Sequence, residues 1–360
     1  MIEKMSDLKS TKKIHIPNYN NSKNRIREFQ SIDLTKKNIK KILIIKWGGM
    51  GDIILSTGIM HDVKMSFPKS RIHINTLPQW KCLFKNDQRF DEIWGSNKSQ
   101  EIGFFNHLYN WFKKIRFENY DLIIDLQTND RTRIYLTISK LLQITPKYLI
   151  GNHAVFPYSI FPKKRENLQQ PFQLLQRTIN TIGIESKTIY PKLIITKKEN
   201  ELALTLLKKN RLNHKKYITF ICGSHRNAKL KRWGSKNFVE LSKLIMKDFN
   251  FKIVLIGGPD DVSECNNISK TNKKIINLCN KTELKLLPKI FHNSKIIIGN
   301  DTGTSHLVAM TNTPMIEMFG PTDPMKSKPL KKNIIAIKAE NSLMNNITAK
   351  YIFKMIKEII

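Results

Sequence analysis

The sequence predicts an α/β protein with two doubly wound parallel sheets that face each other across a cleft. Short apolar runs such as 42–45 and 252–256 are typical of strands covered on both faces, and they alternate with segments of helical periodicity. Glycine-rich turns follow several of these runs, where ligands of such folds bind. Because the alternation starts afresh after Pro191, we expect two domains of ordinary size within the 360 residues.

The first strand candidate, 42–45, leads through the turn 47–52 (WGGMGD) into a helical segment at 53–65. Glycines there let backbone N–H groups approach a ligand at the positive end of a helix. Ile54 stands where a dinucleotide fingerprint needs its third glycine, and no P-loop lysine follows. Asp52 has two interpretations that spacing leaves open, a helix cap and a general base at the mouth of the cleft.

A second strand candidate, 295–298, is followed by the turn 299–306 (GNDTGTSH) and a helical segment at 304–310. Small hydroxyl residues and glycine at a helix start offer unpaired N–H groups, which would suit a diphosphate. The alternative is an ordinary capping sequence with Asp301 or Thr302 as the cap, and His306 as a packed helix residue.

Two further turns follow strands in the second half. The basic segment 223–233 predicts cationic stabilisation of a leaving phosphate by Lys231 or Arg232, or simply a solvated loop with Trp233 in the core. The turn 257–261 (GGPDD) could bind a ribose through an acidic side chain, or serve as a turn and helix cap.

Charge restricts the partners more than the fold. The chain has 62 lysines and arginines against 29 acidic residues, a formal net charge of +33. This balance suits nucleic acid, an anionic membrane surface or a phosphorylated substrate; alternatively, a lysine-rich composition covers every solvated face. The lysines are scattered and no helix-turn-helix, zinc or RNP signature is present, so we expect no nucleic-acid partner.

The ends of the chain and its cysteines bear on location. Residues 1–38 are rich in Lys, Asn and Ser, which predicts a basic, partly ordered extension. The four cysteines form no CxxC pair, no apolar run is long enough to span a bilayer, and the N-terminus lacks the apolar region of a signal peptide. We therefore expect a cytoplasmic protein, either soluble or peripheral at the inner face of the membrane.

Taken together, these segments resemble glycosyltransferase family 9, the ADP-heptose:lipopolysaccharide heptosyltransferases and their relatives. The matching text occurs in family order over about residues 40–335. It comprises ILIIKWGGMGD (42–52), DLIIDLQ (121–127), KRW (231–233), GGP (257–259), NDTGTSH (300–306) and FGPTDP (319–324).

The resemblance implies a GT-B architecture of two facing Rossmann-like domains. Residues 39–190 would bind the acceptor, residues 191–340 would bind the nucleotide sugar, and the final helix within 341–360 would cross back onto the first domain. The implied reaction is an inverting transfer of a sugar, heptose from ADP-heptose, to a lipopolysaccharide-core or related glycan. No cofactor or metal is implied beyond this co-substrate, and the acceptor would be an anionic glycolipid.

The resemblance also implies roles for individual residues. Asp52 matches the family's proposed catalytic base, and Lys231 matches a basic residue near the donor phosphates. Asp261 matches an acidic residue that binds the ribose, with Glu264 as a competing candidate. The remaining donor-binding positions are Ser224, Asp301, Thr302, Gly303, Thr304, Ser305 and His306. The acceptor-binding positions are Gly49, Met50, Gly51, Gln127 and Arg131.

Two other classes of protein stay open at this point. A nucleotide-dependent oxidoreductase of doubly wound fold would share the alternating elements, although the absent third glycine argues against it. A basic nucleic-acid-binding protein is suggested by net charge alone.

Overall fold

Two parallel sheets, one in each half of the chain, form the framework of the protein. The computed structural model describes residues 31–95, 104–127, 129–162 and 171–360. Helices connect successive strands within each sheet, because parallel pairing needs a crossover connection between strands. The predicted α/β class with two doubly wound sheets is confirmed.

The first sheet has the strand order β3-β2-β1-β4-β5, so the order reverses between β1 and β4. Its strands are β1 (Lys41–Lys46), β2 (Arg71–Thr76), β3 (Glu92–Gly95), β4 (Leu122–Asp125) and β5 (Tyr148–Ile150). The helices of this half are α1 (Met50–Ser66), α2 (Lys81–Phe84), α3 (Phe104–Glu118), α4 (Asp130–Leu141) and α5 (Pro171–Asn180).

The second sheet has the order β11-β10-β9-β6-β7-β8 and reverses between β6 and β9. Its strands are β6 (Tyr217–Ile221), β7 (Lys252–Ile256), β8 (Ile275–Asn277), β9 (Ile297–Asn300), β10 (Met315–Phe319) and β11 (Ile334–Lys338). The helices are α6 (Lys197–Lys209), α7 (Ser235–Asp248), α8 (Val262–Ser269), α9 (Leu287–Asn293), α10 (Pro324–Ser327) and α11 (Ala349–Ile359). The segment after β9, Gly303–Met310, is a 3₁₀ helix.

The central strands are buried on both faces because helices cover each side of the sheets. In β1, Ile42 and Ile44 pack into one apolar cluster while Leu43 and Ile45 pack into another. The first of these clusters continues into the second half, where it includes Leu307 of the 3₁₀ helix. Apolar packing therefore joins the two halves on one side of the first sheet.

The end of the predicted N-terminal extension is docked on the first half. Leu34 is fully buried, and the N–H groups of Ile32 and Leu34 donate to the carbonyls of Thr181 and Ile182, each at 3.0 Å. These bonds tie residues 31–34 to the turn after α5. Residues 1–30 of the extension lie outside the described residues, and the domain limits 39–190 and 191–340 stay predictions.

The predicted crossing of the C-terminal helix is wrong. Helix α11 packs on α7 of the same half, where Ile352 and Ile356 share a buried cluster with Leu241 and Ile245. The apolar residues of α11 lie along one stripe of the helix, and this stripe packs on an apolar face of α7. The final helix therefore completes the second half.

Two smaller expectations concern cysteines and membranes. All four cysteines are free thiols; Cys82 is exposed, and the other three are buried. Within the described ranges, every helix is too short or too polar to pass through a lipid bilayer.

Candidate active site

A cleft of about 890 Å³ lies between the two halves, at the carboxyl ends of the strands. Its first wall is the turn after β1, from Trp47 to Asp52, and its second wall includes the turn after β9, from Asp301 to Thr304. Both turns lie where strand order reverses, which is the place at which doubly wound sheets bind ligands.

Asp52 presents a free carboxylate to this cleft. It lies in the first turn of α1, it is exposed, and among the described residues its side chain has no hydrogen-bond or ion-pair partner. The residue at the N-cap position is Gly49. The capping interpretation of Asp52 is therefore not supported, although the helix start still favours a negative charge there.

A buried lysine lies beneath the same turn. Lys46, at the end of β1, is 6% exposed and donates a hydrogen bond to the Leu126 carbonyl at 2.9 Å. Burial lowers the pKa of Lys46, and the charges of Asp52 and Asp125 act in the opposite direction. Sequence reasoning missed this residue, although a lysine closing an otherwise apolar strand was a signal for it.

Two predicted acceptor-side residues support the turn from behind and do not line the cleft. The Gln127 side-chain oxygen accepts from the Trp47 N–H at 3.0 Å, and the Arg131 guanidinium stacks over the Trp47 ring at 5.2 Å. Trp47 itself lines the cleft, together with the predicted residues Gly49, Met50 and Gly51.

Asp301 is the centre of a paired network on the opposite wall. It is 5% exposed, and its Oδ2 accepts from the Lys231 ammonium at 2.7 Å and from the Thr322 hydroxyl at 2.5 Å. Its N–H donates to the Met318 carbonyl of β10 at 3.0 Å. Because an ammonium has three N–H donors, Lys231 keeps donors for an anion in the cleft.

The two walls meet at a pair of glycines. A Cβ atom on Gly303 would lie 2.7 Å from the Gly51 nitrogen and 2.8 Å from Met50 Cβ. A Cβ atom on Gly51 would lie 2.8 Å from Cδ2 of His306. The halves therefore approach this closely only because both positions lack a side chain. Burial lowers the pKa of His306, while the charges of Asp301 and Asp52 raise it, so the packed ring is held neutral.

Only one of the two acidic candidates for a ribose lines the cleft. Asp261 does, with Oδ1 accepting from Arg232 at 2.7 Å and Oδ2 accepting from the Gly258 N–H at 2.8 Å. A carboxylate oxygen accepts more than one hydrogen bond, so Asp261 keeps acceptor capacity. Glu264 points to Arg232 instead, at 2.8 Å, and does not line the cleft. Burial raises the pKa of Glu264, against the effect of Arg232.

The remaining predicted donor residues divide in the same way. Ser224 lines the cleft, but its hydroxyl donates to the Ala228 carbonyl at 2.9 Å. Thr302, Gly303, Thr304 and His306 also line it. Ser305 is fully buried, and its hydroxyl donates to the Thr302 carbonyl at 2.6 Å. It therefore shapes the turn from beneath.

A further buried acid lies under the turn after β9, which is the turn on the predicted donor side. Glu317, in the middle of β10, is fully buried. Among the described residues, no donor lies at hydrogen-bonding distance and angle from its carboxyl oxygens. Burial raises the pKa of Glu317 well above its ordinary value. A neutral acid is therefore the form that this site accepts.

Sequence reasoning also missed an apolar part of the second wall. Leu284 and Leu287 line the cleft together with Asn280 and Thr282, and all four follow strand β8. On the first wall, the Trp80 indole N–H donates to the Gly48 carbonyl at 3.0 Å. None of these residues follows a glycine-rich turn, so the sequence offered no local signal for them.

Two doubly wound halves that face each other across a cleft form the GT-B fold, and here an unpaired carboxylate shares the cleft with the Lys231–Asp301 pair. Solved structures agree with the fold. The chain superimposes on the glycosyl transferase family 9 structure from Veillonella parvula with a TM-score of 0.76, at 17% identity, over 92% of this chain and 98% of that one. It superimposes on E. coli ADP-heptose lps heptosyltransferase II with a TM-score of 0.69, at 18% identity, over 89% and 98%.

The chain belongs to glycosyltransferase family 9 (heptosyltransferase), because the sequence profile of that family matches residues 108–357. A curated relative, lipopolysaccharide heptosyltransferase 3 of E. coli K12, is 24% identical over 304 residues, covering 81% of this chain and 86% of the relative. The protein is therefore a glycosyltransferase. Neither the oxidoreductase nor the nucleic-acid-binding alternative receives support from these matches.

Proposed function

We propose that this enzyme transfers heptose from ADP-heptose to a lipopolysaccharide-core acceptor, with inversion at the anomeric carbon. The observation that carries the proposal is the unpaired Asp52 carboxylate opposite the Lys231–Asp301 pair in one cleft. The names of the relatives supply the donor and the acceptor class, because lipopolysaccharide and ADP-heptose are what those proteins are named for.

The residues divide the reaction between the two walls. Asp52 accepts the proton of the acceptor hydroxyl as its oxygen attacks the anomeric carbon. The bond from that carbon to the distal phosphate oxygen breaks, and ADP leaves with the electron pair. Lys231 and the N–H groups at the start of the 3₁₀ helix Gly303–Met310 stabilise the charge that develops on the phosphate.

In this proposal the donor nucleotide binds to the second wall, which we call the donor wall. Thr302, Gly303 and Thr304 face the diphosphate, and Asp261 accepts from a ribose hydroxyl. The apolar slot at Leu284 and Leu287 is the surface on this wall that suits a flat nucleobase. The first wall, with Trp47 and Met50, binds the acceptor, and we call it the acceptor wall.

The donor and the stereochemistry are tested together. Purified enzyme is incubated with a heptose-lacking lipopolysaccharide-core acceptor and, in separate reactions, with ADP-, UDP-, GDP- and dTDP-sugars. We expect transfer from ADP-heptose, and a product whose anomeric configuration by NMR is opposite to that of the donor. Transfer from another nucleotide sugar in preference to ADP-heptose, or retained configuration, would contradict the proposal.

Peripheral contact with an anionic membrane is the further use that we propose for the basic surface. The formal net charge is +33, and basic residues near an anionic leaflet each contribute about 1 kcal/mol of attraction. We expect the protein to sediment with phosphatidylglycerol vesicles at low salt and to be released at high salt. Equal sedimentation with neutral vesicles, or sedimentation that does not change with salt, would contradict the proposed membrane contact. The high lysine content would then reflect composition alone.

A further inference from the structure

A buried lysine, Lys285, connects the two walls of the cleft. It lies in the 3₁₀ segment Leu284–Leu286, beside the cleft-lining Leu287, yet it is itself only 4% exposed. Its ammonium donates a hydrogen bond to the Lys85 carbonyl in the first half at 2.9 Å and lies 2.7 Å from Oε1 of Glu199. One ammonium group therefore connects the second wall of the cleft to Lys85 of the first half and to Glu199 of helix α6.

The Lys85 carbonyl is a fixed extension of the acceptor wall. Lys85 directly follows helix α2, and its N–H donates to the Lys81 carbonyl at 3.1 Å. Helix α2 itself follows Trp80, which lines the cleft and donates to the Gly48 carbonyl. A change in the distance between Lys285 and Lys85 would therefore move the two walls of the cleft relative to each other.

Glu199 is equally fixed, because it also caps helix α6. Its Oε2 accepts from the Thr196 N–H at 2.7 Å and from the Thr196 hydroxyl at 2.9 Å, which leaves Oε1 for Lys285. Burial opposes ionisation, but hydrogen bonds from Lys285 and Thr196 outweigh it and lower the pKa of Glu199. The carboxylate stays charged and cannot follow Lys285 without breaking the cap.

A buried ammonium strongly resists losing either partner, because its charge would remain in a poorly solvated place. Separating the walls near Lys85 would remove the carbonyl partner of Lys285 while leaving the cation between α6 and α9. The bond therefore opposes opening of the cleft at this place, just as the Gly51–Gly303 contact limits how far the cleft can close.

We infer that Lys285 is a positioning residue for sugar transfer, since its bridge from Glu199 to the Lys85 carbonyl sets the spacing between donor and acceptor walls. The inference rests on the proposed function for what the two walls bind. At the correct spacing the acceptor oxygen lies in line with the anomeric carbon, and water is excluded. At a wider spacing the donor stays bound, but water competes with the acceptor for it.

The test compares Lys285→Met with two other variants. Methionine keeps the length and the apolar stem but removes the ammonium; Lys285→Arg can still donate to both partners, and the exposed Lys273→Met of the same half is the matched control. For Lys285→Met we expect kcat for transfer to fall about 10-fold or more, because ångström-scale misplacement has effects of this order. The ratio of donor hydrolysis to transfer should rise, while the Kd for ADP stays at the wild-type value.

Rescue by Lys285→Arg and wild-type behaviour of Lys273→Met complete the expected pattern. If Lys285→Met folds poorly, Glu199→Gln removes the charge partner alone and should change the same ratio in the same direction. Unchanged transfer by Lys285→Met, or equal loss of transfer and ADP binding together with a lower Tm, would overturn the inference.

A distance measurement separates this inference from the proposed function. Spin labels are attached at Met65→Cys in α1 and Lys243→Cys in α7, both exposed positions, in a Cys82→Ser background. We expect Lys285→Met to shift the label distances to longer and broader values, with Lys285→Arg close to the parent protein. This readout needs no substrate, so it holds even if the enzyme uses another donor; identical distributions in all variants would refute the positioning role.

Discussion

The two halves place an aspartate at matching points of their folds, in opposite surroundings. Asp52 follows β1 and Asp301 follows β9, and each lies beside the reversal of strand order in its sheet. Asp52 is exposed and has no partner among the described residues, whereas Asp301 is 5% exposed and is bound by Lys231 and Thr322. An acid that is available for proton transfer stays unpaired, and an acid that shapes an anion site is occupied by its neighbours.

The ionisable groups buried beneath the two turns differ in kind. Under the acceptor-side turn lies the cation Lys46, within the field of Asp52. Under the donor-side turn lies the acid Glu317, within the field of Asp301 and Lys231. A positive charge beneath the first turn attracts the negative charge of Asp52, while a neutral acid leaves the positive field of the donor side undiminished. Each buried group therefore matches the charge that its wall has to present.

The largest effect is expected from Asp52→Asn. The amide keeps the shape but cannot accept the proton, so kcat for transfer should fall about 10²–10⁴-fold. ADP affinity, measured by calorimetry, should stay at the wild-type value and Tm should change little, because the carboxylate has no hydrogen-bond or ion-pair partner to lose.

Asp301→Asn is the matched control for this comparison. It removes a charge that pairs with Lys231, so we expect lower ADP affinity and a lower Tm together with slower transfer. If the two variants behave alike, or if Asp52→Asn transfers sugar normally, the assignment of opposite roles to the two aspartates is wrong.

The next effect concerns the contact between the walls. In Gly303→Ala, the added Cβ would lie 2.7 Å from the Gly51 nitrogen, so the walls must separate. We expect transfer to fall about 10²-fold, as misplacement by about 1 Å can cause, with a smaller loss of ADP binding. Gly49→Ala is the steric control, since its Cβ would meet nothing closer than 3.9 Å. Equal losses in both variants would show that any added methyl group in these turns is harmful.

Lys231→Met tests the donor wall directly. Charge-assisted hydrogen bonds contribute about 1.5–3 kcal/mol, so ADP should bind about 10- to 100-fold more weakly. Adding Asp301→Asn to this variant should cost less than the two single effects combined, because the two side chains are already paired at 2.7 Å. Strictly additive losses in ADP affinity would mean that the pair does not act as a unit.

Much of the framework could be predicted from apolar periodicity and turns. Strand β7 lies at the predicted residues 252–256 and β1 contains the predicted run 42–45, because each is a short apolar run bounded by polar or glycine residues. The short strands β5 and β8 were not predicted, since three residues give no periodicity. The helix predicted after β9 is a 3₁₀ helix, a distinction of backbone pitch that composition does not encode.

The site was predictable where a sequence motif marks it, and not where distant segments meet. Asp52, Lys231 and Asp301 belong to motifs and do lie in one cleft. The direction of the Glu264 side chain toward Arg232 and the packing of α11 on α7 could not be predicted, because a side chain's direction and a helix's partner depend on packing. The bridge made by Lys285 joins residues 200 positions apart, which no local pattern can reveal.

The smallest expected effect tests the buried acid on the donor side. The raised pKa of Glu317 means that the folded protein keeps a proton that the unfolded chain releases above its ordinary value of 4.5. The free energy of unfolding should therefore fall as pH rises above that value, by up to about 1.4 kcal/mol per pH unit until the folded-state pKa is reached. Glu317→Gln, which is neutral at every pH, should flatten this dependence and raise stability near neutral pH, with little change in transfer. Exposed Glu340→Gln is the control; parallel stability curves for Glu317→Gln and wild type from pH 5 to 8, measured by urea unfolding, would show that Glu317 is ionised in the folded protein.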